Sequence, residues 1–198
     1  PQLLLLDEPL SALDPGFREE IQEYLKILNS EGITIVMVTH DFGEVLSLGD
    51  RVAVLKEGIL RQVGNVAEVF KSPADPVVAD FVGMKNLIPC DIKTNTAISL
   101  DGISFAISHS GPQGCTFLGI RPEDIAIARV APEVKDQCNI FQGEIISIIS
   151  RGTVIEVVVS VENSRFVSYI LASSLVEMKL QVGDQVYLRI KPEIIHAL

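Results

Sequence analysis

The chain has 198 residues, 47% hydrophobic and 21% charged, which suits one or two packed domains and not a disordered tail. A formal charge of −10 opposes a nucleic-acid phosphate backbone, and 6% aromatic content is sparse for base stacking, so no nucleic-acid partner is expected. No apolar run is long enough to span a bilayer, Pro1 opens no signal-peptide pattern, and Cys90, Cys115 and Cys138 lack the spacing of a disulfide or zinc framework and read as small hydrophobes in a reducing cytoplasm.

Leu3–Leu6 is an apolar run without alternation that delivers Asp7, Glu8 and Pro9. It predicts a central parallel strand covered on both faces, ending at the sheet edge where open α/β folds bind ligands. An acid pair there suits a metal-bound phosphate, with Asp7 holding Mg²⁺ and Glu8 orienting or deprotonating the attacking water. Asp14-Pro15 then supplies an N-cap and a first-turn proline, and Phe17, Ile21, Tyr24, Leu25 and Leu28 share one helical face as far as Asn29-Ser30-Glu31-Gly32. Ile33–Val38 is a second β-rich run. A right-handed strand-helix-strand crossover brings both strand ends to one edge, so Asp7, Glu8 and His40 converge. Asp41 with Glu44 predicts a capping-box-like helix start, and Gly49 its end. Arg51–Lys56 and Ile59–Val63 around Glu57-Gly58 predict a hairpin, followed by a short helix over Asn65–Phe70 that stops near Pro73.

The succession of Leu3–Leu6, Asp7-Glu8-Pro9, Ser11-Ala12-Leu13-Asp14 and Thr39-His40-Asp41 resembles the Walker B motif, D-loop and H-loop of ABC transporter ATPases. The resemblance implies ATP and Mg²⁺ as cofactors, Glu8 and His40 as catalytic residues, and Asp7 as the metal ligand. His40 would contact the γ-phosphate and help hold the attacking water. Asp7, Ser11 and Asp14 would be the cofactor-binding set, with Ser11–Asp14 touching the second ATPase subunit of a homodimer. Transmembrane permease subunits would be further partners and would hold the protein on the cytoplasmic face of the membrane. Asp50–Val54, Gly58, Gln62-Val63-Gly64, Val69-Phe70, Pro73, Phe81-Val82-Gly83 and Asn86 are similar to the end of an importer-type ATPase domain, which assigns residues 1–86 to it and leaves 84–90 as a link.

From about Asp91 short β-rich segments alternate with turns. A tight turn is expected at Leu100–Ile103, and strands at Cys115–Ile120, Ile125–Val130, Gly143–Ile149, Val154–Val161, Phe166–Ile170 and Val186–Ile190. A turn falls at Glu162-Asn163, one helix at Ala172–Lys179, and a loop at Gln181–Asp184. Such spacing predicts a small closed or partly closed barrel. Gly119–Asp124, Val182-Gly183-Asp184 and Lys191 resemble a TOBE, or molybdate-binding-like, regulatory domain over 91–198. In it Arg121 and Glu123 would be structural or domain-contact residues. The expected fold is thus an α/β P-loop-NTPase-like part, a partial ABC ATPase domain, followed by a small all-β OB-like TOBE barrel. A small anion is a possible ligand of the barrel. Of the family's oxyanion-binding pattern only Asn139 and Gly143 match, Asp136-Gln137-Cys138 replace the rest, and Asp136 would repel an anion. Lys191 is retained, with Pro192 where a small hydroxyl residue is expected.

No G-x-x-x-x-G-K-[ST] loop, no Leu-Ser-Gly-Gly-Gln signature and no initiator methionine occurs. The chain therefore reads as the C-terminal part of a longer polypeptide, unable alone to bind ATP tightly or hydrolyse it, with the Leu3–Leu6 strand lacking neighbours on one side and prone to self-association. The resulting function is the ATP-hydrolysing, energy-coupling subunit of an importer for molybdate, tungstate or another inorganic anion. The alternative is a ligand-sensing regulatory module of a sulfate, iron, polyamine or sugar importer ATPase.

Overall fold

The computed structural model describes residues 2–109, 111, 114–131 and 138–198, which divide after Ser72 into two compact units. In the first, β1 (Leu3–Asp7) and β2 (Thr34–Val38) pair in parallel, with Leu3 opposite Thr34 and Asp7 opposite Val38. The connection is α1 (Pro15–Ser30), started by Asp14, whose carboxylate accepts the Phe17 N–H at 3.1 Å. Gly32, at φ +92°, turns the chain out of the helix. The expected coverage of β1 on both faces is not observed. Among the described residues β1 and β2 form a two-stranded sheet, and strand side chains alternate between faces, so Leu4 and Leu6 are half-buried while Leu3 and Leu5 are 50% and 68% exposed.

Asp41 caps α2 (Phe42–Leu48) by accepting the Gly43 N–H at 2.7 Å. The expected capping-box contact of Glu44 with the Asp41 N–H is absent, because Thr39 stands between them: its hydroxyl accepts from Asp41 N at 3.0 Å and donates to Glu44 Oε2 at 2.6 Å. The antiparallel hairpin of β3 (Arg51–Lys56) and β4 (Ile59–Asn65) turns through Glu57 and Gly58, both at positive φ as a tight two-residue turn requires. It runs into α3 (Val66–Lys71), where Glu68 accepts the Asn65 N–H at 3.3 Å.

The second unit opens with α4 (Pro76–Phe81), capped by the Asp75 carboxylate on the Val77 and Val78 N–H groups. The stretch 84–90, expected as a link, instead enters β5 (Asn86–Lys93): Asn86 and Ile88 are buried, and the backbone pairs with two neighbouring strands. There follow β6 (Thr96–Ser99), β7 (Ser104–Ala106), β8 (Phe117–Ile120), a 3₁₀ turn at Pro122–Asp124 and β9 (Ala126–Ala128). Then come β10 (Asn139–Arg151), β11 (Val154–Val161), β12 (Ser164–Leu171), α5 (Ala172–Met178), β13 (Gln185–Ile190), a second 3₁₀ turn at Pro192–Ile194 and β14 (His196–Ala197).

These strands form two sheets, β14-β8-β5-β6-β7 and β12-β11-β10-β13-β9, which have the same plan. In each half the fourth strand lies beside the first, the 4-1-2-3 order of a Greek key. The fifth strand crosses over: β9 pairs with β13 of the second half, and β14 pairs with β8 of the first. Sequence repeats accompany this plan, Asn86-Leu87-Ile88-Pro89-Cys90-Asp91-Ile92 against Asn139-Ile140-Phe141-Gln142-Gly143-Glu144-Ile145, and Arg121-Pro122-Glu123 against Lys191-Pro192-Glu193.

Two buried asparagines lock the halves. Asn86 accepts from Val167 N at 2.6 Å and donates to Val167 O at 2.9 Å and Ile120 O at 3.2 Å. Asn139 accepts from Ala106 N at 2.6 Å and donates to Ala106 O at 2.9 Å and Ile190 O at 3.2 Å. Each amide imitates a strand partner for the third strand of the other half. Between them lies one apolar core including Leu118, Ile145, Leu188 and Ile190, with Phe105 edge-on to Phe141 at a ring separation of 5.0 Å.

Candidate functional site

The parallel register leaves Glu8 and His40 just past the paired ends of β1 and β2. Glu8 N still donates to Val38 O at 2.9 Å, extending the ladder by one bond. Its φ of +43° then turns the chain off the strand, a left-handed conformation that costs a non-glycine residue about 1–3 kcal/mol. That turn is held by Ser11, whose hydroxyl donates to Glu8 O at 2.9 Å, and by Leu10, which is fully buried. The Glu8 carboxylate meets His40 Nδ1 at 2.8 Å, the side chains being 42% and 74% exposed. The Glu8 hydrogen bond and charge raise the His40 pKa against desolvation, with lesser aid from the charges of Asp41 and Glu44.

Of the residues expected from sequence, the fold brings Glu8 and His40 into contact. Asp7 is exposed at the carboxyl end of β1, beside an open hollow formed with Leu5, Leu6, Val36 and Val38. Ser11 belongs to the Glu8 turn, and Asp14 is engaged as the α1 cap. Among the described residues no three His, Cys, Asp or Glu side chains cluster as a metal cage. A single carboxylate such as Asp7 still fits Mg²⁺, which keeps several waters and takes phosphate oxygens as ligands.

In the second unit the anion-site candidates among the described residues are not assembled. Every polar atom of the Asn139 side chain is spent on the backbone clamp. Gly143 is needed for packing, since a Cβ there would lie 2.5 Å from Ser160 O. Lys191 is exposed, Pro192 starts a 3₁₀ turn, and Asp136 and Gln137 lie outside the described residues. Arg121, the counterpart of Lys191, is buried and donates to Val82 O at 2.5 Å. Burial lowers its pKa while Glu123 and Asp124 oppose that, and burial, followed by the Arg121 charge, lowers the pKa of His196.

Residues 118–198 match the family model of the TOBE domain. Over 192 residues the chain is 37% identical to the molybdate/tungstate import ATP-binding protein WtpC of Pyrococcus abyssi, spanning 96% of this chain and 55% of that protein. It is 36% identical over 201 residues to the spermidine/putrescine import ATP-binding protein PotA of Borreliella afzelii, spanning 100% and 54%. The chain is a relative of ABC importer ATP-binding subunits and carries a TOBE domain. It spans about half the length of these relatives. It also shares 43% identity over 129 residues with the sulfate/thiosulfate import ATP-binding protein CysA 2 of Chromobacterium violaceum, covering 64% of this chain and 35% of that one.

A solved structure of the cytoplasmic molybdate-binding protein ModG with molybdate bound is similar in fold to part of this chain, at a TM-score of 0.51 and 13% identity. That match covers 57% of this chain and 94% of ModG. Sequence reading missed Asn86 as the first clamp of the second unit. The signal was present in the repeat Asn-x-x-x-x-acid-Ile at 86–92 and 139–145.

Proposed function

We propose that this chain forms part of the ATP-hydrolysing, energy-coupling subunit of an ABC importer, with β1 as its Walker B strand in a P-loop-type ATPase domain. The observation that supports this reading best is the 2.8 Å contact of Glu8 with His40 at the ends of two parallel strands. In that role the Glu8 carboxylate orients the attacking water or takes its proton, and His40 steadies Glu8 and reaches the γ-phosphate. Asp7 would hold Mg²⁺, which when bound neutralises phosphate charge. Ser11 and Asp14 complete the cofactor-binding set on the loop that faces a second ATPase subunit.

On this reading the first unit, residues 1–72, belongs to the C-terminal part of the ATPase domain, and the barrel that opens with β5 at Asn86, not at the expected Asp91, is regulatory. The partners are a second ATPase subunit and transmembrane permease subunits, which hold the protein on the cytoplasmic face of the membrane. The sequence contains no loop of backbone N–H groups and lysine to cradle ATP phosphates, so the chain by itself neither binds ATP tightly nor turns it over. We assign an inorganic oxyanion such as molybdate or tungstate as cargo, supported by the 37% identity to WtpC. The near-equal identity to PotA supports a polyamine as the competing cargo.

Steady-state ATP turnover by the full-length protein tests the site. E8Q is expected to lower kcat by about 10²–10⁴-fold, the usual worth of a positioned general base, with H40A lowering it as well. Undiminished turnover in E8Q would overturn the assignment.

A further inference from the structure

His40 has little around it. Its ring is 74% exposed, so packing does not fix its direction, and that direction must come from Glu8 and from the short turn that carries it. The turn is tied at both ends of the histidine by one hydroxyl: Thr39 Oγ1 accepts the Asp41 N–H at 3.0 Å and donates its O–H to Glu44 Oε2 at 2.6 Å. Glu44 itself is only 5% exposed, in the first turn of α2.

Burying a carboxylate is costly unless it is hydrogen-bonded, and an apolar side chain would fill this place at lower cost. The positive end of α2 offsets part of that cost. What the carboxylate adds is direction. A threonine hydroxyl has one proton and rotates freely. Once Glu44 accepts the hydroxyl's hydrogen bond, the O–H direction is fixed and a lone pair faces the Asp41 N–H, which closes the backbone around His40 in one conformation. A capping box would have joined Glu44 to Asp41 directly and left the Thr39 side of the turn untied.

We propose that Glu44 is a positioning residue for His40, acting through the Thr39 hydroxyl to aim the imidazole at Glu8. This rests on the ATPase reading for its purpose, but not for its geometry. Glu44 does not touch His40 or any reacting atom; it holds the turn that presents the ring. The charged groups bearing on His40 are Glu8, Asp41 and Glu44.

The test is a proton-NMR titration of the His40 ring in this chain, assigned by H40Q. The wild-type ring is expected to titrate above the ordinary 6.5. T39V, which keeps the shape of the side chain and removes the hydroxyl, and E44L should both abolish that displacement. T39S keeps the hydroxyl and should preserve it, and E44Q keeps an acceptor oxygen and should preserve most of it, losing only the small part that the Glu44 charge supplies directly. A folded T39V or E44L chain whose His40 titrates as in wild type would overturn the proposal. E8Q is the control that separates the two readings: loss of the displacement in E8Q but not in T39V or E44L defeats the role of Glu44 alone, whereas no change in E8Q defeats the Glu8–His40 pair itself. In the full-length protein, E44L should lower kcat more than it raises KM, with E44Q restoring turnover.

Discussion

Glu8 is held in a left-handed backbone conformation, with its side chain already engaged by His40. The second feature acts on the pH response of the first unit. Because the folded His40 pKa is raised, the stabilisation from its pairing with Glu8 is fully present below the ordinary 6.5 and is lost as pH rises through the folded value. His196 has the opposite sign. Burial and the Arg121 charge lower its pKa, so its contribution is present above 6.5 and is lost as pH falls through the folded value. Urea unfolding followed between pH 5 and 8 should therefore show the first unit gaining, and the TOBE domain losing, stability toward acid, with H40Q and H196Q flattening the respective trends. A third residue-scale expectation concerns Gly143. Its missing Cβ would meet Ser160 O at 2.5 Å and the Val159 and Val161 methyls at 2.7 and 2.8 Å. G143A should cost about 1–3 kcal/mol in urea denaturation, the range for forcing a methyl into a filled core.

Among the elements, α4 and the two clamps are the ones whose removal the fold should register. Val78, Ala79 and Val82 are almost fully buried, and Arg121 holds the Val82 carbonyl at the carboxyl end of α4, where a cation complements the helix dipole. R121M should leave the sheets intact and accelerate amide hydrogen exchange over 76–84. Substituting Asn139 by alanine leaves the Ala106 N–H and C=O without their amide partner, which should cost about 1–3 kcal/mol and loosen β7. N86A should do the same to β12 at Val167, and matching losses in the two variants would express the repeat in energetic form.

At the scale of the whole molecule the two units differ in how much core they possess. The second unit encloses a continuous apolar cluster, whereas the first unit leaves Leu3, Leu5, Val36 and Val38 exposed on one sheet and Leu55, Ile59 and Leu60 exposed on its hairpin. Buried apolar area is the main favourable term in folding, so the first unit should melt at lower temperature, giving two transitions in calorimetry, one of which persists in a chain of residues 73–198. Exposed apolar patches of that kind mark interaction surfaces, and concentration-dependent association through the first unit is expected in light scattering.

Much of this was legible in the letters because it is local. The strand-helix-strand unit follows from the Leu3–Leu6 run, the Asp14-Pro15 cap and the Gly32 stop, and from it the convergence of Glu8 and His40. The Glu57-Gly58 hairpin follows from its turn residues in the same way. Pattern alone could not separate Glu44 bonded to Asp41 from Glu44 bonded to Thr39, since both arrangements use the same residues at the same spacing. It also misread 84–90 as a link, because Pro89 and the following short segments hide a strand whose stability comes from distant partners in β8. Asn139 looked like a possible anion contact until its three hydrogen bonds were accounted for by Ala106 and Ile190, residues far from it in sequence. The sequence by itself determined the local elements, the acid pair and its histidine, and the family resemblance, since each depends on neighbours within a few tens of residues. Only the tertiary structure decided the exchange of β9 and β14 between halves, the paired asparagine clamps and the exposed face of β1, because each depends on which distant backbone groups and surfaces are satisfied.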